Sequence, residues 1–232
     1  MKTAVIIGST GLVGSLLVEK LAQEAGFHQI IAICRQKPKD LPVFSSPRVR
    51  VITFDFLNWS ELELQIRSFI GTSSSSFFCC LGTTIAQAKS EEAFKKVDHH
   101  YVVQFSKLAK SCKAEQLLIV SALGADKNST VFYNKVKGEA EADVQLVFSG
   151  KLHFLRPSLL LGDRKDFRFG ERIAILVSPI ISPLLWGPLE KFKPVRAKDV
   201  AACLYNVASK INSAAVIIDN NEIVKLANAR EV

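Results

Sequence analysis

Three side chains in the middle of the chain could do chemistry by their types and spacing: Ser121, Tyr133 and Lys137, in the stretch SALGADKNSTVFYNKVK at residues 121–137. Tyr133 and Lys137 stand four residues apart, so on a helix the phenol and the ammonium share one face and lie within reach of each other. Ser121 follows an apolar run at 116–120 that reads as a strand, and its hydroxyl can meet the phenol from the other side. A phenol that ionises near pH ~10 is a poor base at neutral pH, so a fixed cation beside it is needed to favour phenolate. The expectation is a proton-donating centre against which the rest of the chain positions a cofactor and a substrate. A Tyr-x-x-x-Lys match by itself is common on exposed helices, so its meaning depends on the elements around it.

Residues 3–7 form an apolar run long enough for a strand buried on both faces and too short for a helix. Next come Gly8-Ser9-Thr10-Gly11-Leu12-Val13-Gly14 and a helical pattern with Leu12, Leu16, Leu17 and Leu21 on its apolar side. Strand, glycine turn and helix together make a phosphate-binding arrangement, in which Gly8 permits a tight turn, Gly11 lets the backbone approach a pyrophosphate, and Gly14 lets the helix pack closely. A second run, 30–34, ends at Arg35 with Lys37 close behind. An acid at this place in a dinucleotide site would bind a ribose 2′-hydroxyl, whereas an arginine accommodates a 2′-phosphate. The sequence therefore favours NADP over NAD, against the blander alternative of a solvated loop cation. Residues 49–54 alternate as a third strand, and Asp55, with the adjoining backbone at Phe56, suits the adenine end of a cofactor pocket; a cap or turn role fits Asp55 equally. A fourth strand from residue 77 breaks at a glycine, which places Cys80, Leu81, Gly82 and Thr83 at the switch point beside the first strand.

A helix is predicted over 90–112, with Phe94, Val97, Tyr101, Phe105 and Leu108 on its apolar side and Ser90 as its cap. His99 and His100 lie on it without a second ligand cluster near in sequence, so no metal site is expected. A short strand at 152–155 ends at Arg156-Pro157-Ser158. Strands alternating with helices predict an α/β fold with a doubly wound, mainly parallel sheet. The chain reads as a single domain, 1–232, with residues 163–200 contributing a small C-terminal lobe. Within it, 173–189 is almost wholly apolar but carries Pro179, Pro183, Gly187 and Pro188, which argues against a transmembrane segment. This stretch reads as a cover over the substrate, or as a contact for a partner protein or a membrane surface. A helix at 195–209 and a last strand at 214–218 follow, and the tail beyond Asp219 shows little pattern.

The composition bounds the function. At 232 residues, 48% hydrophobic and 22% charged, the chain is an ordinary globular domain and not a disordered one. Its formal charge of +8 raises the question of nucleic acid, but the basic residues are scattered and no nucleic-acid motif is present. A solvated surface and a few cations for a phosphorylated cofactor account for the charge. The five cysteines are odd in number and hold no Cys-x-x-Cys pair, which argues against a disulfide framework and a thiolate zinc site and points to a reducing compartment. The N-terminal apolar run is too brief for a signal peptide. A soluble cytoplasmic enzyme is expected.

The glycine loop GSTGLVG, Ser121, the Tyr133-to-Lys137 motif YNKVK and Arg156-Pro157 together resemble the short-chain dehydrogenase/reductase superfamily in its atypical branch. The longer strings CCLGTT, SALGADKNSTVFYNKVKGEAEA and FLRPSLLLGDR resemble the Tat-interacting-protein group of that branch, from the first strand to about residue 170. The resemblance implies a Rossmann fold and bound NADP(H). It also implies Tyr133 as general acid/base, Lys137 on the nicotinamide ribose lowering the phenol's pKa, and Ser121 orienting a substrate carbonyl. Members of the superfamily often carry a relay asparagine in the helix before the catalytic strand, where this chain reads Val97-Asp98-His99-His100. The function expected is an NADP(H)-dependent oxidoreductase acting on an apolar carbonyl or alcohol. The alternatives are an NADP(H)-binding regulatory module with little turnover and a nucleotide-sugar epimerase-like enzyme.

Overall fold

The structure is a computed structural model that describes residues 2–38, 40–162, 187–211 and 213–229. Seven strands form one parallel sheet: β1 (Lys2–Ile7), β2 (Gln29–Cys34), β3 (Val49–Thr53), β4 (Ser74–Cys79), β5 (Gln116–Val120), β6 (Lys151–Leu155) and, last in the chain, β9 (Ile217–Ile218). Their spatial order is β3-β2-β1-β4-β5-β6-β9, so the winding reverses between β1 and β4 and opens a crevice at the carboxyl ends of those two strands. A separate parallel pair joins β7 (Leu160–Leu161) to β8 (Val195–Arg196). The doubly wound fold expected from the alternation of strands and helices is the one observed.

Period-two burial explains the layers. Ala4 and Ile6 of β1 enter one core, under the helices α1 (Leu12–Gln23) and α7 (Ala197–Ser209), with Leu17, Leu21, Phe27, Leu204 and Tyr205. Val5 and Ile7 enter the other, with Leu62 and Ile66 of α2 (Trp59–Ile70), Phe105 and Leu108 of α5 (Tyr101–Ser111), and Val144 of α6 (Phe132–Val147). A strand with both faces sealed in this way favours apolar residues, and Thr3, buried near its start, is the polar exception in the run 3–7.

Four local features depart from the sequence reading. The fourth strand, expected from residue 77, begins at Ser74: Ser75 and Ser76 are buried in the first half of β4, and Ser76 Oγ accepts a 2.8 Å hydrogen bond from Gln116 Nε2 across the sheet. The helix predicted over 90–112 is interrupted. It begins as α4 (Glu91–Lys95), passes through one π-type turn at Lys96–His100, and continues as α5; a four-residue α3 (Ile85–Ala88) precedes it. The last strand is only two residues long. The patternless tail holds α8 (Asn220–Ala227), whose start is fixed by the Asp219 carboxylate accepting from the Glu222 N–H at 2.9 Å. Most of the expected C-terminal lobe, including residues 173–186, lies outside the described residues. Among those described, no helix is long and apolar enough to cross a membrane.

Candidate active site

Most predicted site residues follow a strand at the carboxyl edge of the sheet, Arg156 and Pro157 after β6 among them, while Leu12, Val13 and Gly14 open α1 and Tyr133 and Lys137 lie on α6. The β1–α1 turn is shaped by Gly8 at φ +75°, whose carbonyl accepts from the Gly11 N–H at 3.0 Å. Ser9 turns inward and donates to the Ile33 carbonyl at 2.8 Å, leaving Thr10 and Gly11 exposed. Val13 is buried in the core and Leu12 packs on Gly162, so both offer backbone rather than side chain to a ligand. A Cβ on Gly14 would lie 2.1 Å from the Gly8 oxygen, so only glycine lets α1 start this close to the turn. The helix has no side-chain cap and no acid in its first turn. Its free N–H groups and positive dipole end therefore fit a pyrophosphate.

Arg35 follows β2 and lines an open cleft of about 390 Å³ with Thr53, Asp55, Asn58 and Glu61. Arg35 and Lys37 are exposed and carry no ion pair among the described residues. Tyr133 is not among the residues that line this cleft. One oxygen of Asp55 accepts from the Leu57 N–H at 2.9 Å, the turn role foreseen for it. Phe56 adopts φ +67° and stacks on Tyr101 of α5 at 4.4 Å between ring centres, which leaves its backbone as the part that could meet a base.

The turn after β4 presses directly on the glycine turn. A Cβ on Gly8 would lie 2.6 Å from the carbonyl carbon and oxygen of Cys80, and 2.9 Å from the Leu81 nitrogen. Two residues on, a Cβ on Gly82 would lie 3.6 Å from Asp98 Oδ1 and 3.9 Å from Lys137 Nζ. The phosphate turn and the Tyr133–Lys137 helix are thus joined through residues 80–82.

On α6, Tyr133 is half-buried with its ring 5.4 Å from that of Phe94, and Lys137 is 5% exposed. The Lys137 ammonium lies 2.7 Å from Asp98 Oδ1, while Asp98 Oδ2 accepts from the Thr83 N–H at 2.9 Å. Burial works against the lysine's charge, but Asp98 first and Tyr133 second more than offset it and hold Lys137 above its ordinary value. The Asp98 Oδ1 contact is close without the angle of a directed hydrogen bond, so its attraction is chiefly Coulombic. Sequence reasoning marked Asp98 only as a departure. The signal was available: a carboxylate stands four residues from both Phe94 and Val102, on a helix face that is otherwise buried.

Ser121, at the end of β5, is 7% exposed, and its hydroxyl donates to Glu141 Oε1 at 2.5 Å. Glu141 is buried and receives the Arg156 guanidinium at both oxygens, 3.1 Å from Nε and 2.5 Å from Nη2. Pro157 contributes its carbonyl, which accepts from the Leu123 N–H at 2.8 Å. The predicted residues therefore fall into two groups along one face of α6. Tyr133 and Lys137 join Gly82, Thr83 and Asp98, while Ser121 and Arg156 meet on Glu141, one turn beyond Lys137. Glu141 was missed in the sequence, although its i+4 spacing from Lys137 continues the Tyr133–Lys137 stripe. His99 bonds Asp143 of α6 at 2.8 Å. Among the described residues, no group of three or more His, Cys, Asp or Glu could hold a metal ion.

Residues 8–151 match the NAD(P)H-binding protein family. The FMP52 protein of Candida albicans, named as mitochondrial, is 33% identical over 231 residues, covering 97% of both chains. Rat HTATIP2 is 32% identical over 173 residues, 75% of this chain and 69% of its own. Among solved structures, the UDP-glucose 4-epimerase of Thermotoga maritima aligns over all of this chain and 85% of its own, with a TM-score of 0.67 at 15% identity, a likeness of fold alone. One expectation is overturned. The fungal FMP52 relatives from Candida albicans, Debaryomyces hansenii and Lodderomyces elongisporus all bear the name mitochondrial, which points away from the cytoplasm. The cysteine usage behind that expectation marks a reducing compartment and does not separate one such compartment from another. With a glycine-shaped turn between β1 and α1, a seven-stranded doubly wound sheet and relatives matched along nearly its whole length, the chain belongs to the NAD(P)H-binding family, in the atypical short-chain dehydrogenase/reductase group that includes FMP52 and HTATIP2.

Proposed function

We propose that the protein is an NADP(H)-dependent oxidoreductase that moves hydride to or from an apolar carbonyl or alcohol, as a single domain. The observation that carries this reading is the unbroken contact from Gly8 through Cys80 and Gly82 to Lys137, which brings the phosphate turn and the Tyr133–Lys137 pair to one crevice. The turn at residues 8–14 would hold the pyrophosphate through backbone N–H groups. Arg35 and Lys37 would hold a 2′-phosphate, and Asp55 with the Phe56 backbone would meet the adenine. The bound dinucleotide supplies the hydride chemistry, and the chain supplies the proton. Tyr133 gives or takes it at the substrate oxygen, and Lys137 binds the neighbouring ribose hydroxyls and fixes a positive charge one helical turn from the phenol. Cys80, Leu81, Gly82 and Thr83 line the crevice between them. The mitochondrial names of the fungal relatives support placing this protein there too.

A second reading, a dinucleotide-binding regulatory module that meets a partner protein through residues 173–189, is favoured by one observation. Ser121 has its only hydroxyl proton directed to Glu141, and so offers no donor to a substrate carbonyl in this arrangement.

Calorimetric titration of NADPH and NADH into the wild type and Arg35→Ala tests the cofactor half of the proposal. NADPH should bind more tightly than NADH to the wild type. The substitution should weaken NADPH by about 10- to 100-fold, the worth of a charge-assisted contact, and leave NADH unchanged. Equal binding of the two cofactors, or an unaltered Arg35→Ala variant, would overturn it.

A further inference from the structure

We propose that Asp98 is a positioning residue of this site, which fixes the Lys137 ammonium and the turn after β4 at one spacing. The proposal rests on the reading that a dinucleotide occupies the crevice, and it assigns a direct ion pair to the helix position where a relay asparagine was expected.

Three observations support it. Both oxygens of Asp98 are engaged, one 2.7 Å from Lys137 Nζ and the other 2.9 Å from the Thr83 backbone nitrogen. The carboxylate thus bridges α6 to the turn that touches the glycine loop. Asp98 is 1% exposed, so its charge and that of Lys137 depend on each other, and removing one alone leaves the other buried and unpaired. Finally, Asp98 is the middle residue of the π-type turn Lys96–His100. It stands four residues from both Phe94 and Val102, so it lies on the helix face that those two residues bury.

The groups facing Lys137 are few. Asp98 comes from the π-type turn, Tyr133 from its own helix and Cys79 from β4. Burial pushes the Cys79 thiol up to about 12, so it stays neutral and supplies no replacement counter-ion. Without Asp98, burial is the dominant influence left on Lys137, and its pKa falls. The ammonium would then be lost as pH rises through the range in which the wild-type lysine keeps its proton.

The test uses the full chain as wild type, Asp98→Asn, Lys137→Met and the double variant, with NADPH affinity and stability each followed from about pH 7 to about pH 10, below the ordinary lysine value. Wild-type affinity should be flat. Asp98→Asn should lose about tenfold in affinity as pH rises, the worth of one charged contact, and Lys137→Met should be weak and flat. Stability reads the pair without cofactor. A lysine whose folded pKa is lowered takes up a proton more readily when unfolded, so the deficit of Asp98→Asn should shrink as pH rises. Should Asp98→Asn fail to fold, the double variant, which removes both charges, should fold and behave as Lys137→Met. An Asp98→Asn deficit independent of pH, or a double variant no more stable than Asp98→Asn, would overturn the proposal. If the wild type binds no NADPH while the stability results hold, it is the dinucleotide reading that fails and the assignment of the pair that stands.

Discussion

Replacing Glu141 by glutamine keeps the shape of the side chain and removes its charge, in a cluster where every bond is defined. Ser121 Oγ donates to Oε1 at 2.5 Å, Arg156 Nε to Oε1 at 3.1 Å and Arg156 Nη2 to Oε2 at 2.5 Å. An amide has one acceptor where three donors converge. If its oxygen faces Ser121 and Nε, its NH2 opposes Nη2; if it is flipped, the NH2 opposes Nε and Ser121 must turn its proton away. Either way a guanidinium donor is left unmet. Breaking a fully buried ion pair costs about 3–5 kcal/mol, and the Arg156 side chain, 24% exposed, recovers some hydration, so the expected loss is about 2–3 kcal/mol. Urea denaturation should show a lower midpoint with an unchanged slope. A double-mutant cycle with Arg156→Met should return a coupling of about 1.5 kcal/mol or more, and a coupling below about 0.5 kcal/mol would refute the claim that these groups act as a unit.

Other substitutions probe the frame around the site. Gly14→Ala would set a methyl 2.1 Å from the Gly8 carbonyl oxygen, which only a shift of α1 or the turn can relieve. It should cost about 1–3 kcal/mol and abolish dinucleotide binding, and tight binding by a folded Gly14→Ala variant would contradict the turn's role. His153 is buried on β6 and donates from Nδ1 to the Ala215 carbonyl at 2.7 Å, and burial lowers its pKa. The unfolded chain then binds that proton first, so stability should fall as pH drops below about 6.5, through the lowered folded value, and level off beneath it. Thermal melts across this range should show the acid limb in the wild type and a shallower one in His153→Gln; identical limbs would remove His153 as their source.

The parts of the molecule that obey a simple period were legible. The sealed run ending at Ile7, the glycines at 8, 11 and 14 and the break at Gly82 led to the sheet and to its switch point, because a strand buried on both faces and a helix pressed on a turn each leave few residue choices. What escaped depends on a broken period or on a distant partner. On the helix after Ser90 the apolar pattern marked Val97, and Asp98 was passed over because a carboxylate is unexpected on a buried face until Lys137 and the Thr83 N–H arrive from elsewhere in the chain to meet it. Glu141 resembles any solvated helix acid until Ser121 and Arg156 arrive from β5 and β6 to neutralise it. Ser75 and Ser76 looked like loop because the Gln116 amide that satisfies Ser76 comes from a strand 40 residues away. The helix after Asp219 was announced by an Asp-x-x-Glu cap and overlooked because its apolar face, around Ile223 and Leu226, is short.

In the proposed hydride transfer, Tyr133 is the residue that passes the proton. The most direct measurement is NADPH consumption by the wild type and Tyr133→Phe against a panel of apolar aldehydes and ketones, with NADPH affinity determined on the same samples. Tyr133→Phe should bind NADPH as the wild type does and lose about 100-fold or more in turnover. A wild type that binds NADPH and consumes none with any carbonyl, or a Tyr133→Phe variant with undiminished turnover, would contradict this assignment.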